Sequence, residues 1–375
     1  MKQIIYLFFL FHFVFVHAQM KTIDFAGQFS TKKVCFLTDL ALNVEYIKLE
    51  FSKEALIDDV SKIGQIVITD SYIFIQSRCE LYMFSRTGKF IRKIGSIGKG
   101  PGEYICALSF GIDSTNQKIY IQTSTHTLMT FSFDGKHIET NPLKAHGELF
   151  YYNNKIISVS NLETAFFGEW NGIRAQTFDI KNKQEQKVSY SNFKSNSALY
   201  PSNFSYKYND TVFTQFVNND TVFYLKDNKF IPQYILNMGK YRRKNIDFSK
   251  YSGKNFIYIN KVKESKNFLF MDYFLTDRYS PQNAIYQKNT GILYSLKDEL
   301  IINDLDGGMN IWPKFSIDNN KVAVFIDIFD IFENLDKNYF ASSTAKYPEK
   351  KLELMKLINS LNENDNPIIM LIHLK

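Results

Sequence analysis

"LYMFSRTGKFI" (residues 81–91) and "LMTFSFDGKHI" (residues 128–138) share Leu, Phe, Ser, Gly, Lys and Ile at matching places. Upstream, "IFIQS" (73–77) is answered by "IYIQT" (119–123). The pattern returns more faintly in "TFDIKNKQ" (177–184), with Asn182 where Gly135 stood, and in "VFYLKDNKFI" (222–231), with Asn228 there. Gly88, Gly135, Asn182 and Asn228 thus form a ladder with steps of 47, 47 and 46 residues. Gly and Asn enter positive φ more readily than other residues, and a tight two-strand turn requires it, so each rung reads as a hairpin tip.

Between the rungs lie short runs such as "QIVIT", "YIFIQ", "ELYMF" and "FIRKI", β-branched and aromatic, separated by turn formers. Each period holds about four strands. A repeat of roughly 40–50 residues with four short strands is the signature of a propeller blade, which cannot bury its faces without neighbours. Beyond Asn228 the spacing widens, with a further tip at Gly291 in "QKNTGIL". Residues 56–345 divided by the 47-residue period give about six blades.

"IGSIGKGPGEY" (94–104) raises the question of a phosphate loop. A Walker loop needs Gly-Lys followed by Ser or Thr, but Lys99 is followed by Gly100 and Gly100 by Pro101. A dinucleotide loop needs a third glycine where Glu103 stands, and a helix where strands follow. The stretch reads as the crossing from the last strand of one blade to the first of the next.

The two chain ends carry their own signals. Lys2, the apolar run "IIYLFFLFHFVFV" (4–16) and Val16-His17-Ala18 predict a signal peptide over 1–18. The run falls short of the roughly 20 residues that a spanning helix needs. No cysteine follows until Cys35, so the lipid-attachment residue of a lipoprotein is missing. The chain is expected to be exported, periplasmic or extracellular, and not a lipoprotein. Residues 19–43 form an N-terminal lead segment and 44–375 the propeller. At the other end, Pro348 opens "PEKKLELMKLINSLNEND", whose Leu352, Met355, Ile358 and Leu361 mark one face of a helix over about 348–362. Pro367 ends it, and "IIMLIHL" gives a last strand over about 367–374 that completes a blade shared by the chain ends and closes the ring. The predicted fold class is all-β, a six-bladed β-propeller with a C-terminal helix and a closing terminal strand.

"GSIGKGPGEY" (95–104), followed by "KIYIQTSTHTLMTFSFDGK" (118–136), resembles an NHL-type repeat, whose blades typically follow a G-P-G-E-[FY] element. With "VEYIKLE" (44–50), "INDLDGGMNIWP" (302–313) and "NPIIMLIHLK" (366–375), residues 40–375 resemble the six-bladed β-propeller proteins of Bacteroidota, many known only as domains of unknown function. The resemblance implies an exported propeller, commonly a lipoprotein, and no particular reaction. The missing cysteine departs from the lipoprotein members.

Composition narrows the function classes. A formal charge of +7, from 45 basic and 38 acidic residues without a long basic block, excludes a nucleic-acid module. The three cysteines, Cys35, Cys79 and Cys106, contain no C-x-x-C pair and read as buried apolar residues. At most one disulfide can form, and the spacing does not select it. His126, His137, His146 and His373 show no metal-ligand spacing, and no G-x-S-x-G elbow occurs. No catalytic residue stands out.

"NDLDGG" is the strongest candidate site: Asn303, Asp304 and Asp306 offer hard oxygens on a glycine-bent loop, with Trp312 close behind. Ca²⁺ or another divalent metal is the one cofactor that such oxygens suggest. The alternative is an Asx-type turn leading into the last blade. The loop is expected at the channel mouth, with Arg278 of "FLTDRYS" (274–280) as a channel-facing cation. The function expected is a non-catalytic, monomeric module that binds a protein, peptide or glycan through loops at one end of its channel, in a cell-envelope complex, without nucleic acid and without a transmembrane segment in the mature chain. The alternative is a metal-dependent hydrolase or lyase with its site in the channel.

Overall fold

Along the strand Tyr72–Ser77, Ile73 and Ile75 face one side and Phe74 the other, and all three are fully buried. Side chains alternate along a strand, so a sheet apolar on both faces must be covered on both. A ring of sheets meets that need. The computed structural model describes residues 20–143, 147–152, 154–160, 173–190, 204–216, 219–242, 256–275 and 281–375. The signal-peptide reading of 1–18 lies outside them.

Six antiparallel sheets form the blades. Their innermost strands are Ile63–Ile68, Ala107–Asp113, Gly147–Tyr152, Ser205–Tyr208, Ile257–Glu264 and Phe315–Asp318. Each junction between neighbouring blades has its own apolar cluster. Ile73, Ile75 and Phe84 of blade 1 pack against Phe325, Ile369 and Leu371 of blade 6. Phe74, Leu81 and Met83, on the opposite face, pack against Phe110, Ile119 and Phe131 of blade 2. Burying one such side chain contributes about 1.5–3 kcal/mol, and the alternation spreads that gain around the ring.

The ring closes as predicted, in blade 6. Its order from the channel outward is Phe315–Asp318, Lys321–Ile326, Ile368–Leu374 and then Ala41–Lys48 from the other end of the chain. Seven pairings join the last two strands, from Ile368↔Lys48 to Leu374↔Ala41. Asn366, fully buried just before the closing strand, donates to the carbonyls of Glu50 and Ala55 and accepts from the Ile57 amide. The lead segment does more than lead in. Lys21–Ile23 adds a parallel fifth strand to blade 4, and Lys32–Lys33 does the same for blade 5.

The ladder rungs are hairpin tips between third and fourth strands, with one shift. Gly88 (φ 87°), Gly135 (φ 84°), Asn228 (φ 57°) and Gly291 (φ 72°) hold the left-handed conformation, but in the third blade Lys183 (φ 56°) takes it instead of Asn182. Asn182 donates its backbone N–H to Asp179 at 2.9 Å, and the left-handed position falls one residue later than the ladder predicts. The C-terminal helix spans Pro348–Ile358, and its covered face is Leu354 and Ile358, continued by Leu361. Leu352, expected on that face, is exposed. Two further helices, Ile328–Asn334 and Lys337–Ser342, precede it in the same insertion between the second and third strands of blade 6, capped by Asp327 and Asp336.

The glycine-rich stretch is a crossing loop, and it cradles its own carboxylate. Ser96–Ile97 pairs with Glu103–Tyr104, and the Glu103 side chain accepts from the Gly100 N–H at 2.7 Å. A Cβ on Gly98 would collide with that carboxylate. Nearby, Cys79 and Cys106 form a disulfide between blades 1 and 2, while Cys35 stays reduced and buried.

Candidate functional site

The innermost strands enclose a central channel of about 760 Å³. Four of them shift register at one residue, at Gly64, Leu108, Asn260 and Ile317. A bulge bends its strand and re-aims the side chains beside it. Gln65, Ser109 and Lys261 follow three of these bulges directly and border the mouth at that end, together with Glu148 and Ser205.

On one side, polar bonds hold the wall. Gln65 accepts from the Phe110 N–H (2.9 Å) and from Ser109 Oγ (2.8 Å), and donates to the Phe110 carbonyl (2.8 Å). Ser109 Oγ also accepts from the Leu149 N–H (2.9 Å), so blades 1, 2 and 3 are joined in series. At the other end of the channel, the Asn209 N–H of blade 4 donates to Asn319 Oδ1 of blade 6 at 2.8 Å. Lys266 of blade 5 donates to the Asn319 carbonyl, so three hairpin turns meet there.

The charges are unequal. Lys207, Lys261, Lys263, Lys314 and Lys321 line the channel, against Glu148, Asp210 and Asp318. Lys207 pairs with Asp210 (3.0 Å) and Lys321 with Asp318 (2.9 Å). Lys263, 1% exposed, pairs with Asp272 at 2.5 Å, and its ammonium lies 5.3 Å from the Trp312 ring centroid. Burial pulls the Lys263 pKa down to about 8, with Asp272 opposing and Lys261 and Lys314 adding to the fall. Lys261 and Lys314 have no ion-pair partner among the described residues; Lys261 lies 5.1 Å over the Phe315 ring. Glu148, on blade 3, has its pKa pushed up to about 7 by burial, partly offset by Lys261. Its surface is half-buried, because it opens onto the channel rather than onto bulk solvent.

The "NDLDGG" residues come together away from that lining. Asp304 accepts from the Thr38 N–H (2.9 Å) and hydroxyl (2.5 Å), which ties the loop to the N-terminal segment. Asn303 Oδ1 accepts from the Leu305 N–H (3.3 Å), and Asp306 from the Gly308 N–H (2.9 Å). Asn303 and Asp306 are buried, and burial raises the Asp306 pKa. The oxygens therefore organise a turn beneath the helical insertion, whose Tyr339 hydroxyl donates to the Gly308 carbonyl at 2.8 Å. Trp312 is buried edge-on against Phe270 and donates its indole N–H to Asp272. Arg278 lies outside the described residues. Among the described residues, no three His, Cys, Asp or Glu side chains are grouped so that they could hold a metal ion.

The channel residues escaped the sequence reading, which sought metal and nucleophile patterns. The available signal was "NKVKES" (260–265), two lysines at strand spacing in the first strand of a blade.

Fold and channel define a six-bladed β-propeller with a polar, lysine-rich axis. Residues 20–373 match the model of DUF4934, a domain of unknown function, and the chain belongs to that family. Among solved structures it is similar to a "Putative exported protein" of Bacteroides fragilis NCTC 9343, with TM-score 0.70 and 18% identity over 95% of this chain and all of that one. A member of the DUF4221 family from Bacteroides vulgatus matches with TM-score 0.52 and 10% identity, over 90% of this chain and 97% of that one. Comparison with curated proteins gives no match. Among the described residues no helix is long and apolar enough to cross a membrane.

Proposed function

We propose that the protein is an exported, non-catalytic binding module that takes a glycan or peptide ligand into the mouth of its central channel. The observation that carries this reading is the channel itself: about 760 Å³, within the range of small-ligand sites, with Lys261 and Lys314 on its wall and without ion-pair partners among the described residues. Lys207, Lys263 and Lys321, on the same lining, are paired. Export rests on the N-terminal sequence pattern and on the description of the Bacteroides fragilis neighbour, and a periplasmic or extracellular location follows from the same reading. The "NDLDGG" loop is kept as a turn under the helical insertion, and no metal is required of it.

A substitution at each end tests the site. Leu108→Trp and Asn260→Trp place bulk at the bulge-lined mouth, where both side chains are exposed, and Leu42→Trp does so at the opposite end. Binding to an array of oligosaccharides and peptides is measured for each, with the melting temperature as a control. Loss of a wild-type ligand in one end's variants, at unchanged melting temperature, supports the reading. A ligand bound equally well by all three variants overturns it.

A further inference from the structure

Lys261, Lys263 and Lys314 all line the channel. Lys261 and Lys314 both lower the proton affinity of Lys263, whose own charge is taken up by Asp272. Among the described residues neither of the other two has an ion-pair partner, and Lys261 acts on the Glu148 carboxyl only through space. Glu148 faces them from blade 3 without an ion pair and without a hydrogen bond among the described residues, and Gln65, Ser205 and Tyr206 add neutral polar groups to the same lining. Tyr206 is itself committed, donating to Glu264 at 2.7 Å. Two unmatched cations against one partly ionised carboxyl leave room for about one negative charge. Lys261 is half-buried and Lys314 exposed; like charges held near the buried Lys263 oppose folding, and such local conflicts are retained where a site needs them.

Resting on the binding-module reading above, we propose that the channel takes a small carboxylate ligand, its anionic head held between Lys261 and Lys314. A single carboxylate matches the unbalanced charge, where a dianion would face Glu148 across the channel. The lysines give point charges without a planar fork, so the carboxylate is held by electrostatics and its remaining contacts come from the body of the ligand. The carboxylate can belong to a free sugar acid or to a uronate within an oligosaccharide.

The test is calorimetric titration of wild type and of Lys261→Gln/Lys314→Gln with galacturonate, trigalacturonate, neutral maltotriose and inorganic phosphate at fixed ionic strength. The expected result is wild-type binding of an acid, weakened at least tenfold in the variant, with maltotriose and phosphate weaker than the acid. The variant's melting temperature without ligand should equal or exceed that of wild type, because a repulsion has been removed. Binding of trigalacturonate alone identifies the oligosaccharide as the source, and binding of both acids shows that the free acid suffices. Lack of binding by either acid, tighter binding of phosphate, or unchanged acid binding by the variant overturns the carboxylate assignment. A fall in the variant's melting temperature does the same, by showing that the lysines serve the fold. A neutral ligand that the mouth variants exclude and the lysine variant still binds would remove this inference and leave the binding module standing.

Discussion

Cys79 and Cys106 tie blade 1 to blade 2 across 27 residues of chain, whereas Ile368–Leu374 and Ala41–Lys48 tie the two chain ends together without a covalent link. The first clip closes a short loop between blades that the chain brings together anyway; the Ala107 N–H already donates to the Cys79 carbonyl at 3.0 Å. The seam must overcome the entropy of almost the whole chain, yet that entropy grows only logarithmically with length. Packing on both faces of blade 6 suffices. Ile369 and Leu371 are buried toward blade 1, and Ile368, Met370 and Ile372 toward blade 5 and the helical insertion.

This contrast predicts an order of effects. Deleting residues 368–375 removes one strand from the seam and opens both of its faces. The expected outcome is loss of the cooperative thermal transition, read by circular dichroism. Gly88→Val attacks the same seam from blade 1, since Gly88 has φ 87° and a Cβ there would collide with the Lys48 carbonyl. It should cost about 4 kcal/mol by denaturant titration, the range of strained and overpacked sites. Replacing both bridged cysteines by serine should cost about 3.5 kcal/mol, as loop closure implies for a 27-residue separation. A larger loss than that of Gly88→Val would reverse the ranking of clip and seam. Asn366→Ala removes three hydrogen bonds but leaves the strand, at about 2 kcal/mol, with the freed Glu50 and Ala55 carbonyls carrying most of the cost.

The smallest effect lies in neither closure. Glu148 gives up its proton near 4.5 when unfolded and near 7 when folded. Between those values the folded state binds more protons, so stability falls as pH rises from about 4.5 to 7 and then levels off. Glu148→Gln should flatten that slope by a few degrees of melting temperature between pH 5 and pH 7, roughly a kcal/mol after allowance for water in the channel. An unchanged slope would place the titration elsewhere.

The blade period was legible because the chain repeats a turn that only a few residue types make. Gly88, Gly135 and Asn228 announce it, and the closing strand is a plain apolar run behind Pro367. The site was not legible for a corresponding reason. Nothing in the residue types of "INKVKES" says that Asn260 will bulge and turn Lys261 into the channel, or that Lys263 will find Asp272 while Lys261 forms no ion pair among the described residues. Asn303, Asp304 and Asp306 misled for the opposite reason. Hard oxygens near glycines are what a cation loop and an Asx turn have in common, and only the Thr38 contact and the overlying helices separate the two. The disulfide partners lie 27 residues apart, and their meeting depends on how blade 2 is set beside blade 1.

The strap of residues 21–33 runs along the outer circumference of blades 4 and 5 and stays clear of the axis. Anything joined ahead of Lys21, whether tether, tag or carrier, would therefore grip the disc by its flank at blade 4. The point of attachment would then lie away from both openings of the axis and leave them free for traffic.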